Sequence, residues 1–200
     1  WETCGARVVN RPRAVLDSQR FRAIPLLQRA GVAVPETVLA SASPGIVDAL
    51  GKFADAPLWI KRGDVHATEP DDVVFAHGLA PVRQAIERLR ARDIRRIALQ
   101  RHVAGTVFKF YAVANGFFHC VVAAGAAQPS ADVLEAMARL GQQGATALGL
   151  EVYGGDCVLD GAGALHLIDL NDWPSYEPCR AQAAAAIATY LIAQRDESCA

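Results

Sequence analysis

The sequence predicts an α+β fold, and three observations carry that prediction. Short apolar strand patterns alternate with amphipathic helix patterns along the 200 residues. The pair Asn115-Gly116 separates two of the strand patterns, as in an antiparallel hairpin. Hydrophobic residues make up 52% of the chain, which is enough to bury one compact core or two small lobes. Strands, hairpins and helices in this mixture are typical of the α+β class.

The first half of the chain contains four strand patterns and three helix patterns. Val82, Ile86 and Leu89 recur at helical spacing and make one of these helices amphipathic. Pro25 lies inside another helix pattern, where it either kinks the helix or marks its start. The predicted strands cover residues 6–10, 35–40, 57–61 and 72–76, and the predicted helices cover 17–30, 43–53 and 80–92.

The second half of the chain contains five strand patterns and two helix patterns. The last two strands form a hairpin, EVYGGDCVLD and ALHLIDLN, joined through DGAG. We expect a smaller lobe up to about residue 96 and a larger lobe after it. The predicted strands cover residues 96–103, 106–114, 116–124, 151–160 and 164–171, and the predicted helices cover the stretch from Val133 to Leu148 and residues 181–194.

Composition excludes several classes of partner. The formal net charge is −1 and charges of both signs are interspersed, so no basic face indicates nucleic acid. No apolar run reaches about 18 residues and no signal peptide opens the chain, so neither a membrane span nor secretion is expected. The five scattered cysteines are interpreted as reduced thiols of a cytoplasmic protein. A small-molecule partner is therefore the default expectation.

The end of the last predicted strand, LHLIDLNDWPSY, carries unexpected polar side chains. Alternation along the strand puts Leu167, Asp169 and Asn171 on one face and Leu170 on the other. A connecting loop of two or four residues would put Asp156 of the partner strand on the face of Asp169. Two carboxylates and an amide oxygen suit Mg²⁺. The alternative is that Asp169 and Asn171 only begin a polar turn.

Lysine is rare in this chain and its positions are informative. Of 20 basic residues only three are Lys, and two of them lie in predicted strands. Lys61 ends the apolar strand PLWIK, and Lys109 lies between Phe108 and Phe110. Each lysine alone is compatible with a solvent-facing or edge position. Together with a magnesium site, both are better interpreted as phosphate ligands held on rigid elements.

The order of these motifs resembles the ATP-grasp superfamily, nearest to its RimK-like and inositol-trisphosphate-kinase-like branches. GDCVLDGAGALHLIDLNDWPSY is similar to the metal-binding hairpin of that family, and GTVFKFYAVANG to the strand that supplies a basic residue for the nucleotide. The resemblance covers nearly the whole chain. It implies two α+β lobes that clasp the nucleotide. The metal ligands implied are Asp156, Asp169 and Asn171, the nucleotide-binding residues implied are Arg20, Lys61, Gln100, Arg101, His102, Val103 and Lys109, and Lys109 is the expected catalytic residue.

Two departures from the family pattern bear on the acceptor. The phosphate-covering loop is usually rich in glycine, whereas this chain has RGDVHATEPDD. His66 in that loop is a candidate substrate contact, with a solvated loop histidine as the alternative, and Ser175 is a candidate acceptor contact or a plain turn serine. The second departure is that the family usually carries an N-terminal domain before this unit, and we expect that domain, with part of the acceptor site, to be missing from this sequence. We therefore expect a linker end at 1–16, a small ATP-grasp lobe at 17–96 and a large lobe at 97–200.

The resemblance implies a Mg-ATP-dependent ligase. A carboxylate would attack the γ-phosphate of ATP, and an amine or other nucleophile would capture the resulting acylphosphate. Mg²⁺ or Mn²⁺ and ATP are the expected cofactors, and a small molecule or peptide is the expected acceptor. A kinase that phosphorylates a small polyol and an ATP-binding module without turnover are the alternatives. A homodimer is left open.

Overall fold

The computed structural model describes residues 2–43, 45–65, 67–123, 125 and 127–197. It divides into two compact units, each assembled from separate stretches of chain. Unit 1 comprises Trp1–Ser18, Leu26–Ala33 and Ala104–Ala200, and unit 2 comprises Gln19–Pro25 and Val34–Val103. Among the described residues, no helix combines the length and the apolar character that crossing a membrane requires.

The helices and strands follow the predicted order over most of the chain. The helices are α1 (Pro12–Asp17), α2 (Arg20–Arg29), α3 (Ile46–Leu50), α4 (Leu79–Ala91), α5 (Ala131–Leu148) and α6 (Arg180–Glu197). The strands are β1 (Thr37–Ser41), β2 (Leu58–Arg62), β3 (Val73–Ala76), β4 (Arg96–Arg101), β5 (Gly105–Val113), β6 (Phe118–Val122), β7 (Val152–Asp160) and β8 (Leu165–Asp172).

Unit 2 contains an antiparallel sheet in the order β1-β4-β2-β3. Alternation gives this sheet one strongly apolar face, which includes Leu58, Ile60, Ile97 and Leu99. These side chains pack with residues of α4, among them Leu89, into a fully buried core. The opposite face carries Trp59, Lys61 and Gln100, so the polar candidates of β2 and β4 lie away from that core.

Unit 1 contains a second antiparallel sheet, in the order β6-β5-β7-β8. Helix α5 covers one face, and its glycines allow close packing against the strands. A Cβ built on Gly144 would lie 2.9 Å from Leu167 Cδ2 and 3.2 Å from Leu170 Cδ2. On the opposite face, Tyr111 and Val113 of β5 form a small core with α6. That core leaves the Lys109 end of the same face uncovered.

The edge strand β8 is irregular and partly covered. A β-bulge interrupts its pairing with β7, because Asp156 pairs with Asp169 whereas Cys157 pairs with Leu167. Ile168 is therefore an extra residue on β8. On the outer edge of the strand, the backbone N–H of Leu167 donates to the carbonyl of Ala33 at 2.7 Å.

The predicted strand at residues 6–10 is wrong. This segment forms no strand, and a side chain attaches it to the sheet instead. The Asn10 amide donates to the Val152 carbonyl at 2.7 Å and accepts the N–H groups of Glu151 and Val152 at 2.7 and 2.9 Å. A side-chain amide that carries both a donor and an acceptor can replace a strand pairing at this point.

The predicted helix at residues 17–30 is divided. Helix α1 ends at Asp17 and α2 begins at Arg20, with Ser18 as the C-cap of α1. Pro25 lies inside α2, so it does not mark the start of that helix. The predicted helix at 43–53 is shorter, because α3 begins at Ile46 and passes at Gly51 into a 3-10 turn that ends at Phe53.

Candidate active site

Three strands of unit 1 bring oppositely charged side chains into one row. In the register of the sheet, Lys109 of β5 lies opposite Asp156 of β7, and Asp156 lies opposite Asp169 of β8. Directly opposed residues of an antiparallel pair point to the same face. Asn171 lies opposite Gly154, two residues further along, so its amide shares that face. The register thus confirms that Asp156, Asp169 and Asn171 share one sheet face, and a spacing that lets them hold one metal stays a prediction.

The register that produces this row differs from the predicted one. An odd number of residues, 160–164, separates the paired Leu159 and Leu165, so the expected even-numbered loop is wrong. An odd loop alone would place Asp156 opposite Ile168, with Asp169 on the other face. The bulge at Ile168 shifts the register by one residue and returns Asp169 to the face of Asp156.

The bulge also overturns the predicted faces of the leucines. Leu167 and Leu170 were expected on opposite faces, yet both approach Gly144 of α5 and both are buried. Leu167 therefore lies on the opposite face from Asp169. The irregularity allows β8 to pack two leucines on the core while it presents acidic and amide groups on the open face.

Lys109 forms an ion pair within the row. Its Nζ lies 3.0 Å from Asp156 Oδ1 and 3.3 Å from Asp156 Oδ2, so the ammonium spans both carboxylate oxygens. The Lys109 side chain is 48% exposed and that of Asp156 is 25% exposed, which leaves the pair accessible from solvent. Partial burial lowers the pKa of Lys109, but the charge and hydrogen bond of Asp156, with the charge of Asp169, raise it above its ordinary value overall.

The donor set of this row fits a hard divalent cation. Two carboxylates and one amide oxygen are ligands that Mg²⁺ prefers, with phosphate and water oxygens filling the remaining positions. Among the described residues, no group of three or more His, Cys, Asp or Glu side chains is arranged to hold a metal. This set has only two such groups, so a metal here would depend on oxygens from a second ligand such as a nucleotide. The metal roles of Asp156, Asp169 and Asn171 stay predictions.

The turn that follows β8 presents an aromatic side chain to solvent. Trp173 and Tyr176 both adopt left-handed backbone conformations, with φ of 50° and 53°. Tyr176 is buried, and its hydroxyl lies 2.8 Å from the Ala112 carbonyl and 3.1 Å from the Tyr153 carbonyl. Trp173 is 52% exposed and Ser175 is also exposed. The anchored tyrosine therefore fixes a turn that carries both exposed side chains.

Lys61 of unit 2 is buried rather than solvent-facing. Its Nζ donates to Gln100 Oε1 at 2.7 Å, and the Gln100 amide reaches Thr37 Oγ1 at 3.4 Å. The nucleotide-binding candidates Lys61 and Gln100 thus form one hydrogen-bonded group with Thr37, and the three residues lie on three different strands. Lys61 and Lys109 belong to different units, and their convergence on one nucleotide stays a prediction.

An aromatic cluster adjoins Lys61, and the sequence reasoning missed it. Trp59, Phe75 and His102 have ring centroids 5.2 to 6.2 Å apart, and Trp59 Nε1 donates to His102 Nδ1 at 3.1 Å. Phe75 is 49% exposed. Trp59 lies two residues before Lys61 on β2, so strand alternation already placed the indole on the face of Lys61. The candidate His102 is thereby held by an aromatic partner.

The other nucleotide-binding candidates in the segment from Gln100 to Val103 have different surroundings. Arg101 points to the opposite face from Gln100, where it pairs with Glu36 at 2.7 Å and lies 4.7 Å from the centre of the Phe53 ring. The backbone N–H of Arg101 donates to the Glu36 carbonyl, and that of His102 donates to the Pro57 carbonyl. Val103 is half-buried beyond the end of β4. Their nucleotide roles stay predictions.

The remaining candidates lie near the segment after β2. Arg20 is buried and donates to the backbone carbonyl of Arg62 at 3.1 Å. Within the predicted phosphate-covering loop, Arg62 pairs with Asp64 at 2.6 Å, and the Asp72 side chain at the far end is fully buried. His66 lies outside the described residues.

Comparison with characterised sequences identifies distant relatives. No family model matches the chain. Two curated proteins from Stenotrophomonas maltophilia, strains R551-3 and K279a, each bear the name "Probable alpha-L-glutamate ligase". Both are 25% identical to this chain in an alignment 209 residues long, gaps included. The alignment covers 96% of this chain and 70% of the relative.

Comparison with solved structures identifies similar folds. The ATP-grasp ligase PsnB, complexed with precursor peptide PsnA2 and AMPPNP, has a TM-score of 0.67 at 21% identity and matches 94% of this chain and 63% of PsnB. PsnB with a minimal precursor, Mg and ADP gives 0.65 at 20% identity, with the same shares of the two chains. VanG D-Ala:D-Ser ligase from Enterococcus faecalis gives 0.72 at 16% identity, over 88% of this chain and 58% of VanG. The chain spans less than two thirds of these solved chains.

Proposed function

Because the chain has the ATP-grasp fold, we propose that it is the catalytic unit of an ATP-dependent ligase that joins a carboxylate to an amine. The α+β architecture with two antiparallel sheets agrees with the fold that the sequence predicted. The row formed by Lys109, Asp156 and Asp169 on an open sheet face is the observation that carries the proposal.

The proposed reaction proceeds in two transfers. A carboxylate oxygen of the acceptor attacks the γ-phosphorus of ATP, the bond to the β,γ-bridging oxygen breaks, and ADP leaves. The amine of the second substrate then attacks the acylphosphate carbon, inorganic phosphate departs, and the amine loses a proton as the amide forms. Neither transfer requires a side-chain nucleophile, so the protein contributes positioning and charge neutralisation.

The row on β5, β7 and β8 supplies the proposed metal and phosphate contacts. Asp156, Asp169 and Asn171 would hold Mg²⁺ or Mn²⁺, which when bound neutralises phosphate charge and orients the nucleotide. Lys109, on the strand beside Asp156, is the proposed catalytic cation and meets the same phosphates. PsnB, which shares this fold, has been solved with Mg and ADP, which supports Mg²⁺ as the metal.

We propose that residues of unit 2 provide further contacts to the nucleotide. Lys61, already bonded to Gln100, is preorganised to donate to a phosphate. Arg20 and the segment from Gln100 to Val103 are proposed nucleotide contacts on the basis of the family resemblance. Within this segment, the Gln100 and His102 side chains are the best-supported contacts, because both are held next to Lys61 or its aromatic neighbours.

The proposed acceptor is an amino acid or a peptide. The curated relatives are named as glutamate ligases, and PsnB was solved with a precursor peptide. Ser175 and His66 are proposed acceptor contacts. We place the reaction in the cytoplasm, where ATP is supplied. Free thiols at Cys4, Cys120, Cys157 and Cys179 support a reducing compartment.

Substitution of Asp169 by Asn tests the proposal directly. The change keeps the side-chain volume and removes one negative charge from the proposed metal shell. We expect ATP turnover to fall by orders of magnitude, whereas the free energy of unfolding changes by less than about 1 kcal/mol. Asp172→Asn is the matched control, because Asp172 lies on the opposite face of β8 and bonds Ser18 at 3.1 Å. It should retain turnover.

The assay measures ADP release and hydroxamate formation with Mg-ATP, hydroxylamine, and L-glutamate or glutamyl peptides as acceptors. Hydroxamate that depends on Asp169 supports the ligase. ADP release with a polyol and no hydroxamate would favour the kinase instead, and Mg-ATP binding without ADP release across the panel would favour a binding module. An Asp169→Asn variant that is as active as wild type would refute the metal role.

A further inference from the structure

The ammonium of Lys109 lies against Asp156, at the position where we propose that a metal ion binds. The Lys109 ammonium lies within 3.0 to 3.3 Å of both Asp156 oxygens, and Asp169 is the next residue across the sheet. The row therefore combines two negative charges with one positive charge before any ligand arrives. Lys109 already acts as the internal counter-ion of the acidic pair.

Rotamer freedom allows this counter-ion to move. The Lys109 side chain is 48% exposed and has a flexible four-carbon stem, whereas the two acids are shorter and fixed on adjacent paired strands. A divalent cation that binds Asp156 repels the ammonium held on the same carboxylate, and this repulsion favours displacement of the ammonium. The displaced ammonium is then stabilised best beside another anion, because water only partly solvates a half-exposed charge.

Free and nucleotide-bound metal ions differ in this respect. A bare divalent cation brings no anion, so it leaves the ammonium of Lys109 next to two added positive charges. A metal that arrives with a nucleotide brings phosphate oxygens, to which the displaced ammonium can donate. Asp156 would then bind the metal, and Lys109 would bind a phosphate in place of Asp156. Both side chains would keep a partner of opposite charge.

We propose that Lys109 makes this site selective for a divalent metal bound to a nucleotide over the free metal ion. Lys109 is thus a specificity-determining residue for metal entry as well as a phosphate ligand. This inference rests on the proposed function, since it assumes that the row on β5, β7 and β8 receives the metal of ATP.

Metal binding without nucleotide provides the test. The probe is Mn²⁺ alone, titrated into the protein and followed by electron paramagnetic resonance of the free ion. We expect Lys109→Met, which keeps side-chain length and removes the charge, to bind free Mn²⁺ about fivefold more tightly than wild type, the factor that corresponds to breaking a partly exposed ion pair. The same variant should bind Mn-ATP more weakly than wild type.

Two further variants make the result specific. Lys109→Arg retains a cation beside Asp156 and should keep the weak free-Mn²⁺ affinity of wild type, and Lys109→Gln should behave as Lys109→Met does. Unchanged or weaker Mn²⁺ binding by both neutral variants would overturn the inference. If wild type binds Mn-ATP and Asp169→Asn abolishes that binding, the proposed function survives such a failure. If Asp169→Asn has no effect on Mn-ATP binding, the proposed function itself fails.

Discussion

Asp72 is expected to stabilise unit 2 in a pH-dependent way. Its fully buried carboxylate accepts the backbone N–H groups of Thr68 and Glu69 at 2.8 and 3.1 Å and pairs with Arg92 at 2.8 Å. Burial raises the pKa of Asp72, but these backbone donors and the Arg92 guanidinium outweigh it and bring the pKa to about 2 from an ordinary 3.8. Substitution by Asn removes the charge and keeps the shape.

The size of the effect follows from the two pKa values. A tenfold change in an equilibrium constant is about 1.4 kcal/mol, so the ionised Asp72 contributes about 2 kcal/mol to the free energy of unfolding at pH 7. The folded-state pKa lies below the unfolded-state value, so the contribution is complete well above pH 3.8 and is lost as the pH falls through about 2. By pH 3 about half of it, roughly 1 kcal/mol, has gone.

Urea unfolding followed by circular dichroism between pH 7 and pH 3 measures this contribution. Asp72→Asn should be less stable than wild type by about 2 kcal/mol at pH 7, and the difference should narrow by roughly 1 kcal/mol at pH 3. The exposed neighbour Asp71 provides the control, since Asp71→Asn should stay within about 0.5 kcal/mol of wild type. A difference between Asp72→Asn and wild type that stays constant or widens on acidification would refute the reasoning.

Two further substitutions test the packing around the site. Gly155→Ala would place a Cβ 2.4 Å from the Asp169 carbonyl oxygen and 2.9 Å from Phe110 Cζ, and we expect a loss of about 1 to 3 kcal/mol. Thermal unfolding should show a lower Tm than for Gly161→Ala, where an added Cβ meets nothing within 4 Å, and equal Tm values would contradict the packing. Tyr176→Phe removes the hydroxyl that bonds the Ala112 carbonyl, and we expect it to cost about 1 to 2 kcal/mol. Urea unfolding checks this value, and an unchanged midpoint would show that the hydroxyl does not anchor the turn.

The sequence could predict that the acidic residues share one sheet face, but it could not predict the strand register that brings them there. Strand alternation and the hairpin already placed Asp156 near Asp169. The bulge at Ile168 was not visible, because a bulge depends on how Leu167 and Leu170 both reach Gly144 of α5. Tertiary packing thus decided the register, and an incorrect loop length was offset by an unforeseen extra residue.

The fold was predictable where periodic apolar residues were dense and was less so at the start of the chain. Helix α4 was predicted correctly, because the apolar residues from Val82 to Leu89 recur at helical spacing and also pack in the core. Residues 6–10 have strand-like composition, yet Asn10 fastens them through its side chain, and composition does not reveal such a contact. The burial of Lys61 was also unforeseen, since it depends on Gln100 and Thr37 from other strands. The predicted lobes 17–96 and 97–200 stay predictions.

The bulged edge strand β8 has a consequence for association between molecules. A regular exposed edge offers a row of backbone donors and acceptors on which a strand from another molecule can add. In β8 the extra Ile168 interrupts that row, and the Leu167 N–H is already bonded to the Ala33 carbonyl. The carboxylate of Asp169 adds charge next to the interruption. The same irregularity that presents the acidic pair for chemistry therefore protects this margin of the sheet against β-aggregation.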